Sequence, residues 1–268
     1  MTLRLLQGAR VFRQGLRVGW SDFLIFWTWK SWCASWLLRT VCNATIWVLL
    51  GRMLGNPQTM TYLLIGNAVV AGPSAACWTI AASTWDRWDG TYPLQVIAPS
   101  GLSASNAGRS FVWPLNGIVT SWVVFAILAL GFDLAFPPRA LLLVPGLVVL
   151  ICLSSFGFSL FVGGFGALAP RLRIMINFGT TNVLMALTGV SVPISFWPRW
   201  LGALSQALPV THGLEAVRLA FANGALSEIA VCASLEILVG VTWTALSLLA
   251  VDRLAAIGRR DGSIDFAG

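Results

Sequence analysis

Three groups of residues in this sequence combine types that could do chemistry. Asp86, Arg87 and Asp89 crowd into one short stretch, His212, Glu215 and Arg218 recur every three residues, and Glu236 stands alone in a long apolar run. A carboxylate pair is the start of a Mg²⁺ site of the kind used by intramembrane lipid transferases. That chemistry needs further acidic residues or a His/Arg phosphate site, and Asp86 and Asp89 have no second cluster. They suggest a docking element, with a tight, solvated loop as the bland alternative, because ions buried in lipid cost several kcal/mol each and these charges must face water or a partner. His212, Glu215 and Arg218 share a helical face and could pin one segment to another by hydrogen bonds, or form a gate. Glu236 suits either a coupling role or a partner on a neighbouring helix. One histidine and five widely spaced cysteines (Cys33, Cys42, Cys77, Cys152, Cys232) make neither a zinc site nor a catalytic triad, so the cysteines are expected as small core residues. No phosphate-binding loop is present. Gly163-Gly-Phe-Gly166 lies in an apolar run without a following lysine, which suits close helix packing.

The elements that must position these residues are membrane helices. The chain is 57% hydrophobic and 10% charged, against about 25% charged in soluble domains, and its mean hydropathy is +0.80. A helix crossing about 30 Å of hydrocarbon needs about 20 residues. The expected fold is therefore all-α with six spans, at 31–54, 59–84, 107–132, 140–168, 173–195 and 226–251. Pro57, Pro99, Pro137-Pro138 and Pro170 fall in the first four gaps. The fifth gap, 196–225, is long and semi-polar. It is expected to form two short helices dipping into one membrane face, the first opened by Pro198, the second by Pro209 and closed by Gly224.

Residues 1–30 are expected as an amphipathic interface helix ahead of the six-span domain 31–268. Leu5, Ala9, Phe12, Leu16, Trp20, Phe23 and Trp27 oppose Arg4, Gln7, Arg10, Gln14, Arg17 and Ser21. No cleavable signal sequence is expected, because residues 1–22 lack an apolar core followed by a small-residue cleavage site. Trp27, Trp29, Trp32 and Trp36 suit an interfacial belt, with a stacking platform as the alternative. Arg4, Arg10, Arg13, Arg17, Lys30, Arg87, Arg109, Arg171, Arg173, Arg253, Arg259 and Arg260 fall on the side shared by both termini, while Arg52, Arg139, Arg199 and Arg218 fall opposite. The positive-inside bias therefore predicts cytoplasmic termini and an outward 196–225 hairpin. The net charge of +7 is an orientation signal, and no nucleic acid partner is expected. Polar residues inside apolar spans, Asn43, Thr45, Asn67, Thr181, Asn182 and Thr188, are the candidates for a substrate pathway.

Two segments carry a family resemblance. Asp86-Arg-Trp-Asp-Gly-Thr-Tyr-Pro-Leu-Gln-Val-Ile-Ala-Pro-Ser100, continuing to Gly108-Arg109, resembles the cytoplasmic signature of ABC-2 type exporter permeases. The stretch from Gly189 to Arg218 resembles that family's outward hairpin, with Pro193, Pro198, Trp200, Pro209, His212, Glu215 and Arg218 at its matching elements. Pro93 stands where the family usually places an acidic residue, leaving Asp86 and Asp89 to supply charge. The resemblance implies a non-enzymatic permease subunit in a bacterial inner (plasma) membrane, paired with a second permease, most simply a copy of itself. Two cytoplasmic ATPase subunits would bind the ATP and Mg²⁺, with no cofactor on this chain. It implies that Asp86, Arg87, Asp89, Gly90, Thr91, Leu94, Val96 and Ile97 couple to those subunits. Thr91 can cap a short helix whose apolar face is Leu94, Val96 and Ile97. The cargo expected is an amphipathic small molecule such as a drug or antibiotic. The alternative is a lipid-linked glycan, which aromatic rings lining the cavity would favour.

Overall fold

The computed structural model describes residues 2–83, 85, 102–132, 136–166 and 170–261, and among these the regular structure is entirely helical. The Asp86–Ser100 segment, and with it every expected ATPase-coupling residue, lies outside the described residues. Helix α1 is Thr2–Phe26. Five helices are long and apolar enough to cross a membrane: α2 (Trp29–Met53), α3 (Pro57–Ala82), α4 (Leu102–Gly131), α5 (Pro138–Gly166), and the Leu226–Arg253 part of α9 (Leu226–Asp261). Between α5 and α9 lie three shorter helices, α6 (Arg173–Leu187), α7 (Arg199–Gln206) and α8 (Thr211–Phe221).

The fifth expected span, 173–195, is where structure and expectation differ. Helix α6 has 15 residues, about 22 Å at 1.5 Å per residue, short of a full hydrocarbon crossing. Gly189, at φ +82°, then turns the chain into the left-handed region, so the apolar stretch to 195 does not extend the helix.

The core lies between α3, α4, α5 and α8. Leu64, Val69, Val124, Val148, Ile151 and Leu214 are among its fully buried side chains. Two seams bring backbones close enough to require glycine. Where α3 crosses α4, a Cβ on Gly117 would strike the carbonyl of Gly72. Where α1 lies on the start of α4, a Cβ on Gly19 would strike the Arg109 carbonyl and one on Gly108 the Phe12 carbonyl. The α1 seam is locked by an ion pair, Arg109 Nη2 to Asp22 Oδ2 at 2.8 Å, with Nε donating to the same oxygen at 2.9 Å. Arg10, Arg13 and Arg17 are exposed on the other side of α1, as its amphipathic pattern predicts. Gly163 packs on Ile80, in keeping with the packing role expected for its glycine run. All five cysteines are unpaired.

The 196–225 stretch forms its two helices at the expected prolines. Pro198 immediately precedes α7, and Pro209 lies two residues before α8. The second helix ends in a Schellman motif, in which Gly224 N–H donates to Leu219 O at 2.8 Å. Asn223, at φ +54°, rather than Gly224, takes the left-handed position. Arg139 Nη1 ties this end to α5 by donating to Gly224 O at 2.8 Å.

Candidate functional site

Helices α2, α3 and α6 enclose a cleft of about 280 Å³. The structure brings four of the six polar pathway candidates to its walls: Asn43 from α2, Asn67 from α3, and Thr181 and Asn182 from α6. Thr45 does not line it. Thr188 is buried with its hydroxyl donating to Leu184 O at 2.6 Å, a bond within its own turn.

The amides give the cleft its chemistry. Asn67 Nδ2 donates to Leu63 O at 2.9 Å, which leaves Oδ1 buried, and among the described residues nothing donates to it. Asn177 Oδ1 is in the same position, and the two side chains are 2% and 1% exposed. A buried acceptor left unpaired costs about 1–3 kcal/mol. The amides open to the cleft are instead those of Asn43 and Asn182, whose side chains are exposed. At one end the walls are aromatic, formed by Trp36, Trp78 and Phe178, with Trp78 edge-on to Phe178 at 6.3 Å between centroids.

Trp36 is held by a local irregularity. Residues Trp32–Leu37 of α2 are π-helical, and this wider turn shifts the register of the residues that follow. Two indoles anchor it to α4: Trp32 Nε1 donates to Asn116 Oδ1 at 2.7 Å and Trp36 Nε1 to Thr120 Oγ1 at 3.1 Å. Trp36 also meets Trp27, Trp78 and Trp113 at 5.8–6.0 Å. Of the four tryptophans expected in an interfacial belt, Trp29 is exposed. Trp27, Trp32 and Trp36 belong to an intramolecular aromatic cluster.

Arg39 follows this π turn and lines the cleft. It escaped the reading of charges by loop because it lies inside α2, ten residues or about 15 Å from Trp29. At the centre of a span an arginine costs about 2.5–3.5 kcal/mol on insertion scales. Its guanidinium stands 5.6 Å from the Trp36 ring centroid, and among the described residues no carboxylate pairs with it. A lone cation inside an apolar run was the signal available in the sequence.

The hairpin residues go to separate partners. Arg218 lies on the Tyr62 ring at 3.6 Å and donates to Gly189 O at 2.8 Å and more weakly to Val190 O at 3.4 Å. The Tyr62 hydroxyl donates to the same Gly189 carbonyl at 2.6 Å. Burial draws the Arg218 guanidinium below its ordinary pKa, against the opposing pull of Tyr62 and Glu215. His212 Nε2 sits 3.0 Å from Gln206 O, and Glu215 is exposed. Pro193 starts the 3₁₀ turn Ile194–Phe196, and Trp200 is exposed on α7. Glu236 is fully buried and does bond across helices, but to backbone. Its Oε1 accepts from Val210 N and its Oε2 from Gly213 N, both at 2.9 Å, so α9 caps the N-terminus of α8.

The chain matches no family model, no curated protein and no solved structure. The cleft between α2, α3 and α6 combines side-chain amides, a cation and aromatic walls.

Proposed function

We propose that this chain is the membrane-spanning subunit of an ATP-driven exporter, and that the cleft between α2, α3 and α6 is its share of the substrate pathway. The observation that carries the reading is the meeting of Asn43, Asn67, Thr181 and Asn182, from three helices, around one cleft inside apolar segments. The sequence resemblance to ABC-2 permeases supports the rest. A second copy completes the pathway, two cytoplasmic ATPase subunits bind ATP and Mg²⁺, and Asp86–Ser100 meets them. In this reading α6 and the turn after it make a short fifth span, 196–225 is a re-entrant hairpin on the outer face, and both termini are cytoplasmic. The cargo is an amphipathic small molecule. A glycan cargo has one specific observation in its favour, the aromatic end formed by Trp36, Trp78 and Phe178 beside the amides.

The test is to purify the chain with and without a soluble ATPase subunit from the same source and measure ATP hydrolysis and efflux from vesicles. Hydrolysis and efflux that require both chains support the reading. Replacing Leu94 and Ile97 together with Asp should abolish efflux and leave membrane insertion intact. Efflux that survives this change removes the docking role of that segment. Absence of any association with an ATPase defeats the exporter reading as a whole.

A further inference from the structure

Among the described lining residues of the cleft, Arg39 carries the sole formal charge, and none is acidic. It cannot be explained as a structural ion pair, since the described residues offer it no carboxylate. It is exposed to the cleft, ten residues into the apolar helix α2, where a charge has no place unless something meets it. Around it the cleft offers two kinds of complement. The exposed side-chain amides of Asn43 and Asn182 offer hydrogen-bond partners, and Trp78 and Phe178 give an apolar, aromatic wall. A cationic amphiphile would meet repulsion from Arg39 with no acidic group to offset it, whereas an acid would give the guanidinium the charge-assisted partner it lacks.

We propose that the cleft is a selective site for acidic amphiphiles, with Arg39 taking a carboxylate or phosphate, the Asn43 and Asn182 amides taking hydroxyl groups, and the aromatic end taking a ring. The proposal rests on the exporter reading for its biological meaning, but the binding it describes belongs to this chain alone. A transported molecule and an anionic lipid headgroup share this chemistry.

Three nitrophenyl glycosides that differ at one carbon separate the possibilities: the 4-nitrophenyl glucuronide, the glucoside, and the 6-amino-6-deoxyglucoside. Binding of each to the full chain in phosphatidylcholine nanodiscs is measured by equilibrium dialysis. The glucuronide should bind about ten-fold more tightly than the glucoside, and the amino sugar most weakly. Arg39→Gln should reduce the glucuronide to the level of the glucoside and leave the glucoside unchanged, while Arg39→Lys retains part of the preference. Arg39 is exposed and its neighbour is a ring face, so both variants are expected to fold. Repeating the titration in discs containing phosphatidylglycerol identifies the occupant. A preference that persists assigns the subsite to a diffusible acid, and one that vanishes assigns it to the lipid headgroup. Equal affinities for all three glycosides in phosphatidylcholine would overturn the proposal and leave the cleft as a neutral binding site, with the exporter reading intact. If a folded chain binds none of them, both the proposal and the place of the cleft in that reading fail.

Discussion

Replacing Glu236 tests whether a membrane helix holds the hairpin by its backbone. Helix α8 has 11 residues, below the length at which an isolated helix is stable in water, and its start depends on partners supplied from outside. Glu236 supplies two acceptors at once, to Val210 N and Gly213 N, from a side chain with no exposed surface. Val210 is β-branched and held at φ +82°, a strained conformation that persists only where its surroundings impose it. Glu236→Gln keeps the shape of the side chain but presents one acceptor and an NH₂ group, so one of the two backbone donors is left facing another donor. An orphaned buried donor costs about 1–3 kcal/mol and the lost charge at the helix N-terminus up to about 2 kcal/mol, giving roughly 2–4 kcal/mol in all. For a chain of this size that lowers the melting temperature by about 5–15 °C. Glu236→Ala should cost more, since it orphans both donors and leaves a cavity. With Cys33, Cys42 and Cys232, which are not buried, replaced by Ser, the buried Cys77 and Cys152 let a thiol-reactive dye report unfolding in detergent. If the Gln variant melts within about 1 °C of the parent, the double-acceptor account of this capping is wrong.

Arg218→Ala and Tyr62→Phe should each destabilise the chain, by about 2–4 and about 1 kcal/mol, and should couple in a double-mutant cycle because both donate to Gly189 O. Additive effects would show that the stacked pair does not act as a unit. Gly19→Ala places a methyl against the Arg109 carbonyl and should unseat α1, seen as faster proteolysis near Thr28. Gly8→Ala, with open space around it, should change nothing. For topology, cysteines at Ala203 and Gln14 in a cysteine-free background suit labelling because both positions are exposed, whereas Ser205 on the same hairpin is fully buried. An impermeant reagent applied from outside should modify Ala203→Cys and not Gln14→Cys, and the reverse pattern would invert the proposed orientation.

What the sequence made legible follows from where the physics is local. Span positions came from hydropathy, and the hairpin helices from Pro198 and Pro209, because a missing N–H and a fixed φ act on the chain at those positions. Asn43, Asn67, Thr181 and Asn182 stood out as polar groups in apolar runs. Thr188 was indistinguishable from them, since its bond to Leu184 O needs only its own helix. The partners of Glu236 could not be found by matching side chains, because they are amides of the backbone. The π turn at Trp32–Leu37 is fixed by Asn116 and Thr120, far along the chain, and has no local signature. Arg39 is legible as a lone cation inside an apolar run, but the positive-inside bias reads only charges in loops and near span ends and so carries no signal for it.

The seam between α1 and α4 also constrains the order in which the molecule can be made. Asp22 meets an arginine 87 residues downstream, and Gly15 and Gly19 meet backbone in the same turn of α4. At roughly 5–20 residues per second, about 4–17 s of synthesis separate the first helix from the surface that receives it. During that interval α1 has no protein partner for its Phe12 and Phe23 face, and the membrane surface is the available substitute. Ribosomes stalled before Leu102 should therefore hold α1 as a loosely bound surface helix, accessible to protease. Release of another thirty or so residues should seat it, which makes the third described span the step that fixes the N-terminus in place.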